Sequence, residues 1–299
     1  METPPLAKPS LFCKVGRALL LAALTLLPLP AVQAAQDEEL QPLPEDSALS
    51  GRMGALGIVI SGEPGSSISL ASGFLISACH VLTAGHVLAR TGQSASLGMP
   101  VKFIPKGERG AESVAAVWGR VVVADAEFVM APGIPGIDLQ AIARDWGLVE
   151  LDQPLAGVEP IKLLHPAARL APDAQLAIVG YLSGGRRSRL HAQEHCRNWA
   201  GHHGRSSLAG VIFANCAVRL GMSGGPLLLE GDDQPVAAGV IVKRVEFGRK
   251  VMTVAVGTSV FAEAILAAMQ ASKVCAAGTP FVWPHRHANS EQALPVGEP

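Results

Sequence analysis

A histidine, an aspartate and a serine occur along this chain in that order, each in a distinctive setting. His86 lies in Leu82-Thr83-Ala84-Gly85-His86-Val87, Asp145 precedes Trp146-Gly147-Leu148-Val149-Glu150-Leu151, and Ser223 lies in Gly221-Met222-Ser223-Gly224-Gly225-Pro226. A serine hydroxyl is a poor nucleophile at neutral pH. It needs a base within hydrogen-bond reach, and the base needs a partner that fixes its tautomer. The carbonyl under attack needs backbone donors for the negative charge that develops on its oxygen. Ser223 is therefore read as nucleophile, His86 as general base and Asp145 as the acid that orients it. The N–H groups of Gly221 and Ser223 are read as the oxyanion hole, because a residue without Cβ can turn its amide inward from an unusual backbone conformation.

Taken singly, each piece has an ordinary explanation: a glycine-rich turn, a histidine after an apolar run, an acid that caps a strand. Together and in order they point to one triad. Asp138 is the rival acid, but it follows Gly136-Ile137 without an alternating strand directly behind it. His80 is a rival base by proximity only, and its place inside an apolar run favours a structural role. His202, His203, His285 and His287 form at most a loose set whose spacing matches no metal-ligand pattern, so neither a metal nor another cofactor is expected.

The elements that must position these groups read as strands. Apolar and β-branched runs recur at 56–60, 73–76, 81–83, 101–104, 114–123, 176–181, 192–196, 211–213, 226–229, 236–242 and 251–256, separated by turn residues. Many short strands of this kind predict a barrel or sandwich. One helix is expected over 259–275, capped by Ser259, with Phe261, Ile265, Ala268 and Met269 at helical spacing for packing on the core. The expected organisation is a leader at 1–34, a linker or short pro-segment at 35–51, a first barrel at 52–160 and a second at 161–258. The helix follows, and a flexible tail fills 276–299.

The chain has 299 residues, a formal net charge of −1 and 16% charged residues. That balance gives no reason to expect a nucleic-acid or anionic-membrane partner. Gly 32 and Pro 22 suit a turn-rich β chain. Lys8, Lys14 and Arg17 precede the apolar run 18–27, and Ala31-Val32-Gln33-Ala34 offers small residues for cleavage, as in a secretory leader. The run is short of the ~20 residues that span a bilayer. Export to the periplasm or beyond is expected, with no membrane association after cleavage. Cys79, Cys196, Cys216 and Cys275 would then meet oxidising conditions, and by count alone four cysteines leave their connectivity open.

The three motifs resemble those of the chymotrypsin (trypsin-like) serine protease family, and most closely its bacterial secreted branch, which includes the glutamyl endopeptidases. The resemblance spans roughly residues 54–273, and Gly239-Val240-Ile241 is similar to the strand that lines the family's cleft. It implies an all-β fold of two antiparallel barrels with a C-terminal helix, and a serine endopeptidase acting on polypeptides through an acyl-enzyme. An esterase-like acyl hydrolase and a catalytically silent binding homologue are the alternatives. The resemblance also implies a Cys196–Cys216 disulfide, leaving Cys79 and Cys275 to pair if the C-terminal segment packs on the first barrel. It places the substrate pocket near Ala217, Val218, Val242, Lys243 and Arg244. Ala217 brings no carboxylate, so a preference for Lys or Arg is not expected. Arg219, Lys243 and Arg244 would add positive charge near the cleft.

Two positions depart from the family pattern. Met222 stands where digestive proteases carry an aspartate that pairs with a newly freed amino terminus. Val242 stands where a serine often supports the catalytic aspartate, so support for Asp145 must come from elsewhere.

Overall fold

The computed structural model describes residues 40–275, apart from 45–46, 63–67, 90–91, 107–115, 126, 129–137, 172–173, 184–189, 200–209, 232–233 and 248–249. The leader, the tail and all four histidines of the loose set lie outside the described residues.

The described chain opens with a two-residue strand, β1 (Gln41–Pro42), and a short helix, α1 (Ala48–Arg52), whose first turn is capped by the Ser47 hydroxyl accepting from the Ser50 N–H at 3.0 Å. Within 35–51, expected as a linker or short pro-segment, the chain forms β1 and most of α1, and Leu40 is buried. Six strands follow: β2 (Leu56–Ser61), β3 (Ser69–Ser77), β4 (His80–Thr83), β5 (Pro100–Pro105), β6 (Val117–Ala124) and β7 (Gly147–Leu151). Two short helices interrupt them, α2 (Gly85–Leu88) after β4 and α3 (Leu139–Ala143) before β7. The strands close into a barrel in the order β2-β3-β4-β7-β6-β5. Period-two alternation sends one face of each strand inward, and Leu56, Phe74, Leu82, Phe103, Leu148 and Leu151 are fully buried.

The second half repeats the logic. Its strands are β8 (Lys162–Leu163), β9 (Gln175–Tyr181), β10 (Leu190–Arg197), β11 (Val211–Ala214), β12 (Pro226–Leu229), β13 (Val236–Phe247) and β14 (Lys250–Gly257). They pair in the order β1-β10-β9-β12-β13-β14-β11, with β8 parallel to β13. The sheet rolls up until β11 reaches the chain beyond β10. An antiparallel bridge joins Asn198, beyond β10, to Ala214 in β11, and the Asn215 N–H donates to the Arg197 carbonyl at 3.2 Å. The Cys196–Cys216 disulfide lies at this seam, with a Cα–Cα separation of 5.4 Å. The fold is the double β-barrel of chymotrypsin type that the sequence predicts.

The C-terminal helix α4 (Thr258–Ala271) starts one residue earlier than expected and ends sooner. Its N-cap is Gly257, with no side-chain cap bond, because β14 runs straight into it and leaves Ser259 inside the first turn. Phe261 and Ile265 are fully buried, and the Phe261 ring lies 5.5 Å from the ring of Trp146. Beyond α4, Cys275 bonds to Cys79 in the turn between β3 and β4, with Cα atoms 6.0 Å apart. The C-terminal segment is thus fixed to the first barrel.

Candidate active site

Strand register explains how residues far apart in sequence reach one place. β4 and β7 pair antiparallel with Thr83 opposite Gly147. His86 lies just past the end of β4, and Asp145 just before the start of β7, so the two meet at one rim of the first barrel. Asp145 Oδ2 accepts from His86 Nδ1 at 2.8 Å, and Oδ1 accepts from the His86 backbone N–H at 2.7 Å. The second bond supplies the support that Val242 cannot give. The Asp145 backbone is held in turn by its N–H donating to the Ile142 carbonyl at 3.0 Å.

Asp138 takes another role. It caps α3, its Oδ1 accepting from the N–H groups of Gln140 and Ala141 at 3.0 and 3.2 Å, and it is not joined to His86. His80 is buried inside β4, with Nδ1 2.7 Å from the Ser77 hydroxyl and Nε2 3.9 Å from Glu150. It faces Ser77 and Glu150, not the His86–Asp145 pair.

Burial opposes charging of the His86 imidazole, but the charge of Asp145 and its hydrogen bond outweigh this and hold the pKa above the ordinary 6.5. The side chain keeps 25% of its surface exposed. With Nδ1 committed to Asp145, Nε2 on the opposite edge of the ring is the nitrogen available to a substrate or nucleophile.

Ser223 arrives from the second barrel. The residue after it, Gly224, has φ +81°, and a Cβ there would fall 2.2 Å from the Ser72 carbonyl oxygen and 2.2 Å from Thr83 Oγ1. Only glycine permits so close an approach in that conformation. The Ser223 loop is therefore seated on the end of β4, the strand that leads to His86. The Ser72 N–H donates to the Ser223 carbonyl at 2.9 Å, and Gly224 and Gly225 bond with Ile241 of β13 at 2.7 and 2.9 Å.

The backbone before Ser223 turns two N–H groups away from the carbonyls that precede them. In a trans peptide the C=O and N–H point in opposite directions. The Leu220 carbonyl accepts from Ser183 N–H at 2.9 Å, and the Met222 carbonyl accepts from Gly225 N–H at 2.9 Å. The N–H groups of Gly221 and Ser223 must then point the other way, and among the described residues neither donates to a backbone carbonyl. Gly221 has φ +97°, and a Cβ there would lie 2.3 Å from Ser183 N. Met222 is fully buried in the apolar core of the second barrel, with Val218, Leu227 and Ile241.

The expected pocket residues are small or apolar where they are buried. Ala217 N–H is accepted by Gln193 Oε1 at 2.7 Å, and Val218 and Val242 are buried. Thr253 Oγ1 donates to the Cys216 carbonyl at 2.9 Å. Lys243 is half-buried and Arg244 exposed, and Arg244 pairs with Glu246 two residues along the strand. Gln193, Thr253 and Ser72 escaped the sequence reading. Ser72 alone carried a signal, as a polar residue within the apolar run Leu70-Ala71-Ser72-Gly73-Phe74-Leu75. Among the described residues no three His, Cys, Asp or Glu side chains converge as a metal site.

Comparison with known proteins agrees with this fold. No curated protein sequence matches the chain. A thermostable serine protease, AL20, from an extremophilic microorganism superposes with a TM-score of 0.52 at 18% identity, covering 73% of this chain and 98% of that one. A protein named GrC superposes with a TM-score of 0.50 at 17% identity, covering 77% of this chain and 98% of its own. At such identity these likenesses speak for the fold alone. The model of the trypsin-like peptidase domain matches residues 71–237. That match covers more than half of the chain and takes in His86, Asp145 and Ser223, and the chain belongs to the trypsin-like peptidase family.

Proposed function

We propose that the protein is a serine endopeptidase that cleaves polypeptides through an acyl-enzyme on Ser223. The observation that carries this reading is the two-point bond of Asp145 to His86, at the strand end on which the Ser223 loop is seated. Ser223 Oγ attacks the scissile carbonyl carbon, and His86 Nε2 takes the hydroxyl proton. The oxyanion is received by the N–H groups of Gly221 and Ser223. The C–N bond then breaks, and the same proton passes from His86 to the departing amine. A water molecule, deprotonated by His86, repeats the attack on the ester and releases the acid with Ser223 restored. Asp145 remains ionised throughout and stabilises the imidazolium.

The test is covalent labelling of the protein by a fluorophosphonate probe, with peptide hydrolysis measured in parallel. Wild type should be labelled on Ser223 and Ser223→Ala should not. Labelling at another residue, or peptide hydrolysis by Ser223→Ala at the wild-type rate, would remove the assignment.

For specificity, the pocket disfavours Lys and Arg before the scissile bond and favours small uncharged or acidic residues. The buried apolar character of Val218 and Val242 supports the exclusion. Arg244 is paired with Glu246, and a carboxylate would gain a charge-assisted hydrogen bond from any of Arg219, Lys243 and Arg244. A peptide library profiled at low and high salt separates the halves: dominant cleavage after Arg or Lys would refute both, and cleavage after Ala, Val or Leu alone only the acidic one.

The resemblance to the bacterial secreted branch and the leader-like residues 1–34 support export of the enzyme. Two disulfides support an oxidising compartment. Among the described residues no helix is long and apolar enough to cross a membrane.

A further inference from the structure

Gly221 poses a problem that its own chemistry cannot solve. Glycine samples positive and negative φ about equally well, so nothing intrinsic keeps its peptide planes in the orientation that aims N–H groups at a substrate. The neighbouring carbonyls of Leu220 and Met222 are held by backbone amides of the second barrel. The carbonyl of Gly221 is held by a side chain, and that side chain belongs to the first barrel.

Ser72 lies in β3 and is fully buried. Its hydroxyl donates to the Gly221 carbonyl at 2.8 Å and accepts from the Tyr181 N–H at 2.9 Å. Its own N–H donates to the Ser223 carbonyl at 2.9 Å, and its carbonyl accepts from Thr83 Oγ1 at 2.8 Å. Every polar group of this one residue is thus used. Two of its bonds reach the loop that carries both oxyanion donors, one reaches β9, and one reaches the strand that delivers His86. A buried polar group with all its bonds made leaves no desolvation cost unanswered, whereas a half-satisfied one does. The arrangement therefore has one low-energy geometry.

We propose that Ser72 is a positioning residue for the oxyanion hole. Its hydroxyl fixes the Gly221–Met222 peptide, and with it the conformation at Gly221, so that the Gly221 N–H faces the cleft before substrate arrives. This role rests on the serine-peptidase reading. Ser72 touches no reacting atom and works through Gly221.

The experiment compares wild type with Ser72→Ala, which deletes the hydroxyl but keeps the Ser72 N–H bond to Ser223. Circular dichroism and thermal melting first establish that the variant is folded. Steady-state kinetics are then measured on a peptide substrate, with affinities for two ligands of the same sequence. One is a boronic acid, which forms a tetrahedral adduct with an oxygen in the oxyanion hole. The other is a reduced-amide peptide, which has no carbonyl oxygen. The expected result is a fall in kcat of about 10- to 100-fold, smaller than the loss of a donor itself, with KM little changed. Boronate affinity should fall by a similar factor, and reduced-amide affinity should hold. Wild-type kcat and boronate affinity in the folded variant would overturn the proposal. So would equal weakening of both ligands, which marks a general loosening of the cleft. Fluorophosphonate labelling of wild type separates the two readings. If wild type is labelled on Ser223 and the variant behaves as wild type, only the role of Ser72 falls. If wild type is not labelled there, the peptidase reading falls and takes this role with it.

Discussion

Asp145 accepts two hydrogen bonds from one residue, His86 Nδ1 and His86 N–H, so removing its charge disturbs both tautomer and backbone. Asp145→Asn should lower kcat by about 10⁴-fold, and Ser223→Ala or His86→Ala by about 10⁶-fold, measured on a peptide substrate. The raised pKa of His86 sets the pH dependence. Catalysis needs the neutral base, so kcat/KM should rise with pH through a value above 6.5. For stability the sign is opposite: the His86⁺–Asp145 attraction is fully present below 6.5 and is lost as pH rises through the raised value. His80 behaves in the other sense. Burial lowers its pKa, with Glu150 opposing only in part. The folded protein resists protonating it, so stability should drop as pH falls below 6.5. Melting temperature followed from pH 7 downward should decline less in His80→Gln than in wild type. A parallel decline in the two would rule out His80 as the cause.

The triad candidates were legible at this scale because their chemistry forces particular residue types into particular turns. Ser72 was not, because a buried serine in a strand looks the same whether it serves a site or only itself. Arg244 was misleading for a similar reason. Its charge is written in the sequence, but its partner Glu246 becomes meaningful only when both extend from the same face of β13.

At the scale of elements, the meeting of β4, β7 and the Ser223 loop depends on one glycine. Gly224→Ala should cost about 2–4 kcal/mol in stability, since it combines an unfavourable φ with a Cβ inside contact distance of backbone. It should also abolish measurable peptide hydrolysis. Gly92 is the control: its φ is also positive, +75°, but a Cβ there meets nothing within 4 Å. Chemical denaturation of the two variants should show Gly224→Ala as much the worse. α3 gives a second test. Asp138→Ala removes a helix cap and should cost about 1 kcal/mol, while leaving kcat within about tenfold of wild type, far above Asp145→Asn. Near-complete loss of activity in a folded Asp138→Ala would favour the rival acid. The strands were readable from alternation and β-branched runs. The short elements β1, β8, α1, α2 and α3 were not, since a single turn or a two-residue pairing leaves too few positions to establish a period. The start of α4 was misplaced for a related reason. Ser259 has good capping chemistry, but the chain already turns helical at Thr258 because β14 delivers it there.

At the scale of the whole molecule, two barrels, the helix α4 and two disulfides form one unit. Cys196–Cys216 fastens the seam of the second barrel. Replacing both residues by serine should cost about 3 kcal/mol in the chain-entropy view, and the larger Cys79–Cys275 closure about 5 kcal/mol as an upper figure. Denaturant midpoints of the two double-serine variants against wild type would check the order. The pairing of Cys79 with Cys275 was only conditional in the sequence, because it needs the C-terminal segment to lie against the first barrel. The cause is the apolar face of α4, where Phe261 seats against Trp146, and two aromatic residues so far apart give no advance notice of their contact.

The Cys79–Cys275 bond spans 196 positions of sequence and turns most of the protein into a covalent ring. His86, Asp145 and Ser223 all lie inside it. A protease that nicks any loop within the ring, this enzyme acting on its own copies included, opens the circle without releasing a fragment. The cut molecule should migrate as one band on a non-reducing gel and as two after reduction. A force applied at the two ends of the chain could not extend the ring beyond its closure, so a machine pulling on a terminus would have to reduce the bond or pass a loop of two strands.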